Sequence, residues 1–270
     1  MLKSLAGILF AAGMLLLQTV RADEARVWIF AGLPGDDEHH QAFEKTLGLM
    51  KKGFVTHCGV APEHCTIYYG PKSAGYAGEG SKENILAALK EIAALSHSSP
   101  QTPQWLIFVG HAHAVDGGSM LNLPGPDLST FDFGRALAEI NPATPLNLIF
   151  THTAAFPFLK AASGPGRVII SATSPKDLEN ETEFPGCLAE VLNDPAADAN
   201  KDGHLDMVEI FRATHERVLA RYQAEKLIVR EACLLDGDGD GQGTQRPADK
   251  DAIPAAGRFF TLTAEGRGID

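Results

Sequence analysis

The residues most able to do chemistry lie between Asp198 and Glu209. Asp198, Asn200 and Asp202 place oxygen donors at the first, third and fifth positions of a twelve-residue loop. Gly203 permits the turn at the sixth, the carbonyl of His204 serves the seventh, and Asp206 can act at the ninth. Glu209 closes the loop with a bidentate carboxylate. This is the ligand order of an EF-hand, and hard oxygens in a flexible ring suit calcium. The competing reading is an acidic solvated turn. A second run, Asp236, Asp238, Asp240 and Gly241, starts the same way, but Pro247 falls at its twelfth position and has no side-chain ligand to give. That run is either half a site completed from elsewhere or a flexible turn. Both loops would support structure more than catalysis, because calcium activates water poorly compared with zinc.

A second set of candidates lies where apolar runs end. Trp105 to Val109 leads into Gly110, His111, Ala112 and His113, and Leu146 to Phe150 leads into Thr151, His152, Thr153 and Ala154. If both runs are neighbouring strands, His111 could serve as a base facing Thr153 as nucleophile. A wider constellation of His39, His40, His111, His113 and His152, with Asp36, Asp37 and Asp116, offers an alternative. Three of these histidines converging would hold zinc with an open position and make a metal-dependent hydrolase. Against that, Asp36 and Asp37 also suit a helix N-terminus.

The elements that must position these groups are legible. Val27 to Phe30, Thr66 to Tyr69, Trp105 to Val109, Leu146 to Thr151 and Val168 to Ala172 are continuous apolar runs, as expected of strands buried on both faces. Phe43, Leu47 and Met50 fall at helical spacing. Ile85, Leu86, Leu89, Ile92 and Ala93 do so behind Ser81, which suits a cap. Phe133 to Ile140 predicts a shorter helix, Leu188 to Leu192 an entering helix for the calcium loop, and Met207 to Arg230 a long exiting one bearing Phe211, Val218, Leu219 and Tyr222 on one side. Arg258 to Leu262 predicts a last strand. Strands alternating with helices imply right-handed crossovers and one α/β domain over residues 23–270. Ligand-binding loops of such a sheet lie at the carboxyl ends of its strands, here Gly32 to His40, Gly110 to Gly118, His152 to Phe158 and Ser171 to Asp177.

Composition bounds the function. The chain has 270 residues, 44% hydrophobic and 21% charged, enough for a packed core, and a formal charge of −11. An acidic chain without a Lys/Arg cluster repels phosphate backbones, so no nucleic-acid partner is expected. Residues 1–22 read as a signal peptide: Lys3, an apolar stretch from Leu5 to Leu17, and a small-residue site ending at Ala22. The competing reading is an uncleaved anchor, but the stretch is shorter than the roughly 18–20 residues a span needs. The mature protein is therefore expected to be secreted or periplasmic, with no membrane-embedded part. Export would allow disulfides, and Cys58 and Cys65 flank a short loop that a bridge could close. The paired His57 and His64 offer a zinc alternative there. Cys187 and Cys233 could form a second bridge.

The chain resembles the caspase-like cysteine peptidases, and their legumain-like branch in particular. In that family one strand ends in Gly-His-Gly and the next in Ala-Cys before a Ser-Gly turn. Gly32 to His39, Leu121 to Leu128 and Gly164 to Thr173 extend the likeness, which covers most of residues 25–245 and fits an exported bacterial subgroup with an acidic loop near its end. The resemblance implies a three-layer α/β sandwich with a mainly parallel sheet and helices on both faces, His111 at the catalytic histidine's place, and a substrate cleft near Ala112, His113, His152, Ser171 and Thr173. The chemistry departs from it. Ala154 stands where the thiol belongs, Phe156 and Pro157 replace the Ser-Gly turn, and Ala112 replaces the second glycine. Loss of a nucleophile costs several orders of magnitude in rate. The expectation is a calcium-stabilised pseudopeptidase that binds a peptide or protein in a vestigial cleft. The alternatives are an active hydrolase using Thr153 and His111 or a histidine-bound metal, and a calcium-dependent interaction module whose acidic loops form the contact surface.

Overall fold

The computed structural model describes residues 25–70, 75–177 and 181–269. The expected signal segment lies outside the described residues. No helix among them is long and apolar enough to cross a membrane.

Five parallel strands form the centre: β1 (Arg26–Ala31), β2 (Cys65–Tyr69), β3 (Gln104–Val109), then β7 (Leu146–Phe150) and β8 (Arg167–Ser171) beyond a small meander of β4 (Ala112–Val115), β5 (Gly118–Leu121) and β6 (Leu128–Ser129). The meander is antiparallel and separate from the main sheet. A short β9 (His204–Asp206) lies in the first acidic loop, and β10 (Leu234–Asp236) adds an antiparallel edge, giving the order β10-β8-β7-β3-β1-β2. Five strands arise where the apolar runs predict them, each shifted by a residue or two. The last strand, β11 (Phe259–Thr261), pairs with β9 instead of joining the main sheet.

Alternation along each strand splits the core in two. Val27, Ile29, Trp105, Ile107 and Val109 face one layer, where α1 (Asp37–Lys52), α5 (Phe184–Val191) and α6 (Met207–Ala224) pack. Trp28, Phe30, Leu106 and Phe108 face the other, covered by α2 (Lys82–Ser98), α3 (Thr130–Leu137) and α4 (Phe156–Ala162). Helices on both faces of a mainly parallel sheet make the expected α/β sandwich. Asp36, Ser81, Ser129 and Asp206 cap their helices by accepting amide hydrogens of the first turn. A final helix, α7 (Asp249–Ala256), leads into β11.

Three expectations are corrected. The long helix stops at Ala224 instead of Arg230, because Lys226 enters the left-handed region at φ 56°. Leu219 points outward and is 39% exposed. All four cysteines are free and buried, so neither expected bridge forms. Cys58, Cys65, Cys187 and Cys233 fill apolar space in one core layer. Cys233 instead meets a histidine, with Sγ 2.8 Å from His215 Nδ1.

Candidate functional site

His111 is delivered by the end of β3. Gly110, at φ 150°, turns the chain out of the sheet in a conformation that side chains rarely adopt, and the chain then enters the meander. The ring lies against Phe43 of α1, centroids 5.7 Å apart, and edge-on to His39 at the same separation. Its Nε2–H donates to the Pro34 carbonyl at 3.0 Å, and Nδ1 lies 3.7 Å from Glu181 Oε1. Glu181 also reaches His39, whose Nε2 is 3.2 Å from Oε2, while Asp36 holds His39 Nδ1 at 2.6 Å. Hydrogen bonding to Asp36, then to Glu181, raises the His39 pKa above its ordinary value. The amide and ring of His39 lower that of Asp36 in turn.

The tip of β7 is built differently. Thr151 extends the strand, its amide and hydroxyl both donating to the Phe108 carbonyl at 2.9 and 2.8 Å. His152 turns into the core, fully buried between the rings of Phe150 and Phe158 at 5.9 and 5.2 Å. One ring nitrogen bonds the Thr153 carbonyl at 2.7 Å, and Nε2 has no partner. Burial pushes the His152 pKa down to about 4. Ala154 adopts φ 46°, uncommon for a residue with a side chain, and is fully buried as the chain reverses into α4. Pro157 sits in the first turn of that helix, where its missing N–H costs nothing.

Between the two tips is a cavity of about 210 Å³, lined by His39, Phe43, His111, Thr153, Glu181 and Arg221 among others. On its far wall Arg221 bonds Glu183 at 3.0 Å and Glu190 at 2.7 Å. Glu231 accepts the Glu183 amide at 2.7 Å, and burial raises its pKa to about 7. Of the residues expected to do chemistry, His111 and Thr153 line this cavity. Ala154 is fully buried and does not line it. Ser171 and Thr173 are buried scaffold: Ser171 donates to the Thr173 carbonyl at 2.8 Å, and Thr173 Oγ1 accepts the Ala155 amide at 2.9 Å. Ala112 is buried in β4, and His113 is exposed and bonded to Asn122 at 2.8 Å.

The alternative of a histidine-held zinc finds no converging set of three histidines among the described residues. His40 bonds the Tyr69 hydroxyl at 2.6 Å, His113 faces Asn122 and His152 faces the core. Among the described residues, the group of three that brings its ligand atoms within 4.8 Å of one another is Asp236, Asp238 and Asp251, far from the histidines in sequence. Glu181 and Arg221 were not identifiable from the sequence, since neither belongs to a motif and each reaches the cleft across more than a hundred residues or from another helix.

The loop from Asp198 to Glu209 is closed by its own carboxylates. Asp198 and Glu209 are each 8% exposed. Asp198 accepts the amides of Asp202 and Gly203 at 3.2 and 3.0 Å, and Glu209 accepts those of Ala199, Asn200 and Asp206 at 3.0, 3.3 and 3.1 Å. Gly203 takes the positive φ, 83°, that the sixth position requires. His204 and Asp206 bond β11, which anchors the loop to the core.

No family model and no curated protein matches the sequence. Among solved structures, the chain is similar to protein GSU0716 from Geobacter sulfurreducens, with a TM-score of 0.50 at 11% identity over 78% of this chain and 92% of that one. A secreted C11 cysteine protease from Bacteroides thetaiotaomicron, in complex with an irreversible peptide inhibitor, aligns at a TM-score of 0.41 and 11% identity, over 74% of this chain and 59% of that one. Chaetomium thermophilum Raptor aligns at 0.41 and 13% identity, over 66% of this chain and 19% of that one. Likeness at such identity is one of fold, and fold does not carry function.

Proposed function

We propose that this chain is a caspase-like scaffold of the legumain type that has lost covalent peptidase chemistry and binds a peptide or protein segment in the cleft beside His111. The observation that carries the reading is the disengagement of the would-be catalytic groups. Thr153 Oγ1 accepts the Ala112 amide at 3.5 Å, His111 Nε2 is committed to the Pro34 carbonyl, and Ala154 offers only a methyl group. A nucleophile needs a base within about 2.6–3.2 Å, and the hydrogen bonds of Thr153 and His111 run to other partners.

The cleft's size supports a side chain as occupant. A volume of about 210 Å³ is below the roughly 300–1,000 Å³ of pockets for drug-sized ligands but admits one amino-acid side chain. Its lining carries both signs of charge, Glu181 and Arg221 among them. A calcium ion held by Asp198, Asn200, Asp202, the His204 carbonyl, Asp206 and Glu209 would stiffen the start of α6, the helix that supplies Arg221. The donor set fits such an ion, all hard oxygens with the two most buried carboxylates at the ends of the loop. A secreted or periplasmic location, where calcium can be abundant, belongs to the same reading.

The test is cleavage of a diverse peptide library by the purified protein, with calcium and with chelator, beside His111→Ala. No cleavage in any arm, with retention of a subset of peptides that His111→Ala releases, is the expected result. Cleavage that disappears in His111→Ala would overturn the proposal in favour of a Thr153-dependent hydrolase.

A further inference from the structure

The second acidic loop repeats most of the first loop's carboxylate–amide hydrogen bonds, up to the point where its sequence breaks the pattern. Asp236 accepts the amides of Asp240 and Gly241 at 3.1 and 3.0 Å, as Asp198 accepts those of Asp202 and Gly203. Asp238 accepts the Asp240 amide at 3.2 Å, as Asn200 accepts that of Asp202 at 2.8 Å. Asp240 accepts the Gln242 amide at 2.9 Å, as Asp202 accepts that of His204 at 2.8 Å. In the first loop the second residue's amide, Ala199, donates to Glu209 at 3.0 Å. In the second loop the matching amide, Gly237, donates to Asp251 Oδ1 at 3.2 Å. Asp251 thus occupies the station that Pro247 leaves vacant in the sequence, and it arrives from the first turn of α7.

Hydrogen bonds within an acidic loop do not themselves call for an ion. The independent observation is Asp251, which is 1% exposed and whose Oδ2 has no hydrogen-bond partner. A buried carboxylate oxygen without a donor is a costly arrangement that a bound cation removes. One oxygen from each of Asp236, Asp238 and Asp251 lies within 4.8 Å of the others. Lys250 reaches the outer carboxylates, with Nζ 2.9 Å from Asp240 Oδ2 and 3.6 Å from Asp238 Oδ2, and it leaves Asp251 Oδ2 unserved. Gly237 shows how closely α7 is held: a Cβ there would stand 1.9 Å from the Asp251 carbonyl oxygen.

We infer that Asp236, Asp238, Asp240 and Asp251 form a second site for a calcium-type cation, with Asp251 replacing the closing glutamate of the first loop. All its side-chain donors are carboxylate oxygens, which selects a hard ion over zinc. Ser163 donates to Asp236 Oδ2 at 2.8 Å, so the ion would tie the edge strand β10, the end of α4 and α7 together. The inference stands apart from the cleft and from the ion at Asp198 to Glu209.

Calcium titration of the chelator-stripped protein by calorimetry separates the two loops. Wild type is expected to take two ions per chain, Glu209→Gln one, Asp251→Asn one, and the double variant none. Asp238→Asn, at an exposed position that leaves the core intact, should weaken the second ion at least tenfold even if Asp251→Asn fails to fold. Two ions bound at wild-type affinity in both Asp251→Asn and Asp238→Asn would overturn the second site. So would a single wild-type ion abolished by Glu209→Gln alone, which leaves the first loop's reading standing. A single ion that survives Glu209→Gln and is lost in Asp251→Asn would support the second site and sink the first.

Discussion

The hydroxyl of Thr153 and the backbone amide of Ala112 meet across the tips of two neighbouring strands, Oγ1 accepting the N–H at 3.5 Å. An amide at this place would be the natural donor to a developing oxyanion, and here it is turned toward a side chain of the protein itself. Thr153 lines the cavity, whereas Ala154 is fully buried.

That difference in facing predicts which position a thiol could work from. Thr153→Cys should be labelled by a small alkylating reagent ahead of the native cysteines, because the position, though only 6% exposed, lines the cavity beside His111. Ala154→Cys should resist the reagent, because that residue is fully buried. Mass spectrometry of the two variants after brief alkylation decides the matter. Equal labelling of both would show that the reversal at Ala154 is not held as described. Ala154→Gly should be tolerated or slightly stabilising, since relief of the left-handed conformation is worth about 1 kcal/mol, offset in part by glycine's backbone entropy.

His152 predicts an acid limb in the stability curve. Its pKa is lowered from 6.5 to about 4 by burial, so between those values the unfolded chain binds more protons than the folded one. Stability therefore rises with pH across that window, is fully present above about 6.5, and is lost as pH falls toward 4. The linked free energy is about 3 kcal/mol. Denaturant midpoints measured from pH 4 to 7 should show this slope, and His152→Leu should flatten it. An unchanged slope in the variant would assign the limb to other groups.

The frame was legible in the sequence because buried parallel strands are written as continuous apolar runs, and Val27 to Phe30 or Trp105 to Val109 admit few other readings. The meander was not, because His113, Ala114 and Val115 on β4 are exposed and give no apolar signal. Helix α4 was hidden by Pro157, which reads as a break when it falls within a helix and as a start only once the turn at Ala154 is known. The first acidic loop could be read because its carboxylates are contiguous in sequence. Glu181 at His39, and Asp251 at Gly237, could not, since nothing local marks a carboxylate that closes a site from a distant or later element. The disulfide expectation rested on sequence spacing alone, which does not fix the side-chain geometry a bridge needs: Cys58 and Cys65 are free thiols in the same core layer.

Four buried thiols predict a protein silent to thiol reagents until it unfolds. Burial raises the pKa of Cys65 to about 11 and of Cys187 to about 12, and pushes Cys58 and Cys233 higher still. The thiolate is the reactive form, so the folded chain should give almost no colour with Ellman's reagent at pH 8. Denaturation without reductant should release four equivalents. Release of two or none would show that bridges form after all. The contact from Cys233 to His215 does not alter this, because burial lowers the imidazole's pKa as it raises the thiol's. The pair stays neutral, with S–H donating to Nδ1.

The first acidic loop predicts a calcium-dependent gain in stability that passes through one residue. Glu209 closes the loop on three amides and caps α6 together with Asp206, so it has a structural part with or without an ion. Glutamine keeps one acceptor oxygen, enough for the Ala199 and Asn200 amides on Oε1, but its NH2 cannot accept the Asp206 amide that Oε2 holds, and it removes the charge and the bidentate ligation. In wild type, calcium at a hundred times its dissociation constant should add about 2.7 kcal/mol, visible as a rise in melting temperature that chelator reverses. In Glu209→Gln the melting temperature without calcium should fall modestly, by the worth of one hydrogen bond or about 1 kcal/mol, while the rise from this loop disappears and only that from the Asp251 site remains. Asp251→Asn shows the complementary loss. A full wild-type rise in Glu209→Gln would mean that the loop's geometry is sustained by its hydrogen bonds alone and that calcium acts elsewhere.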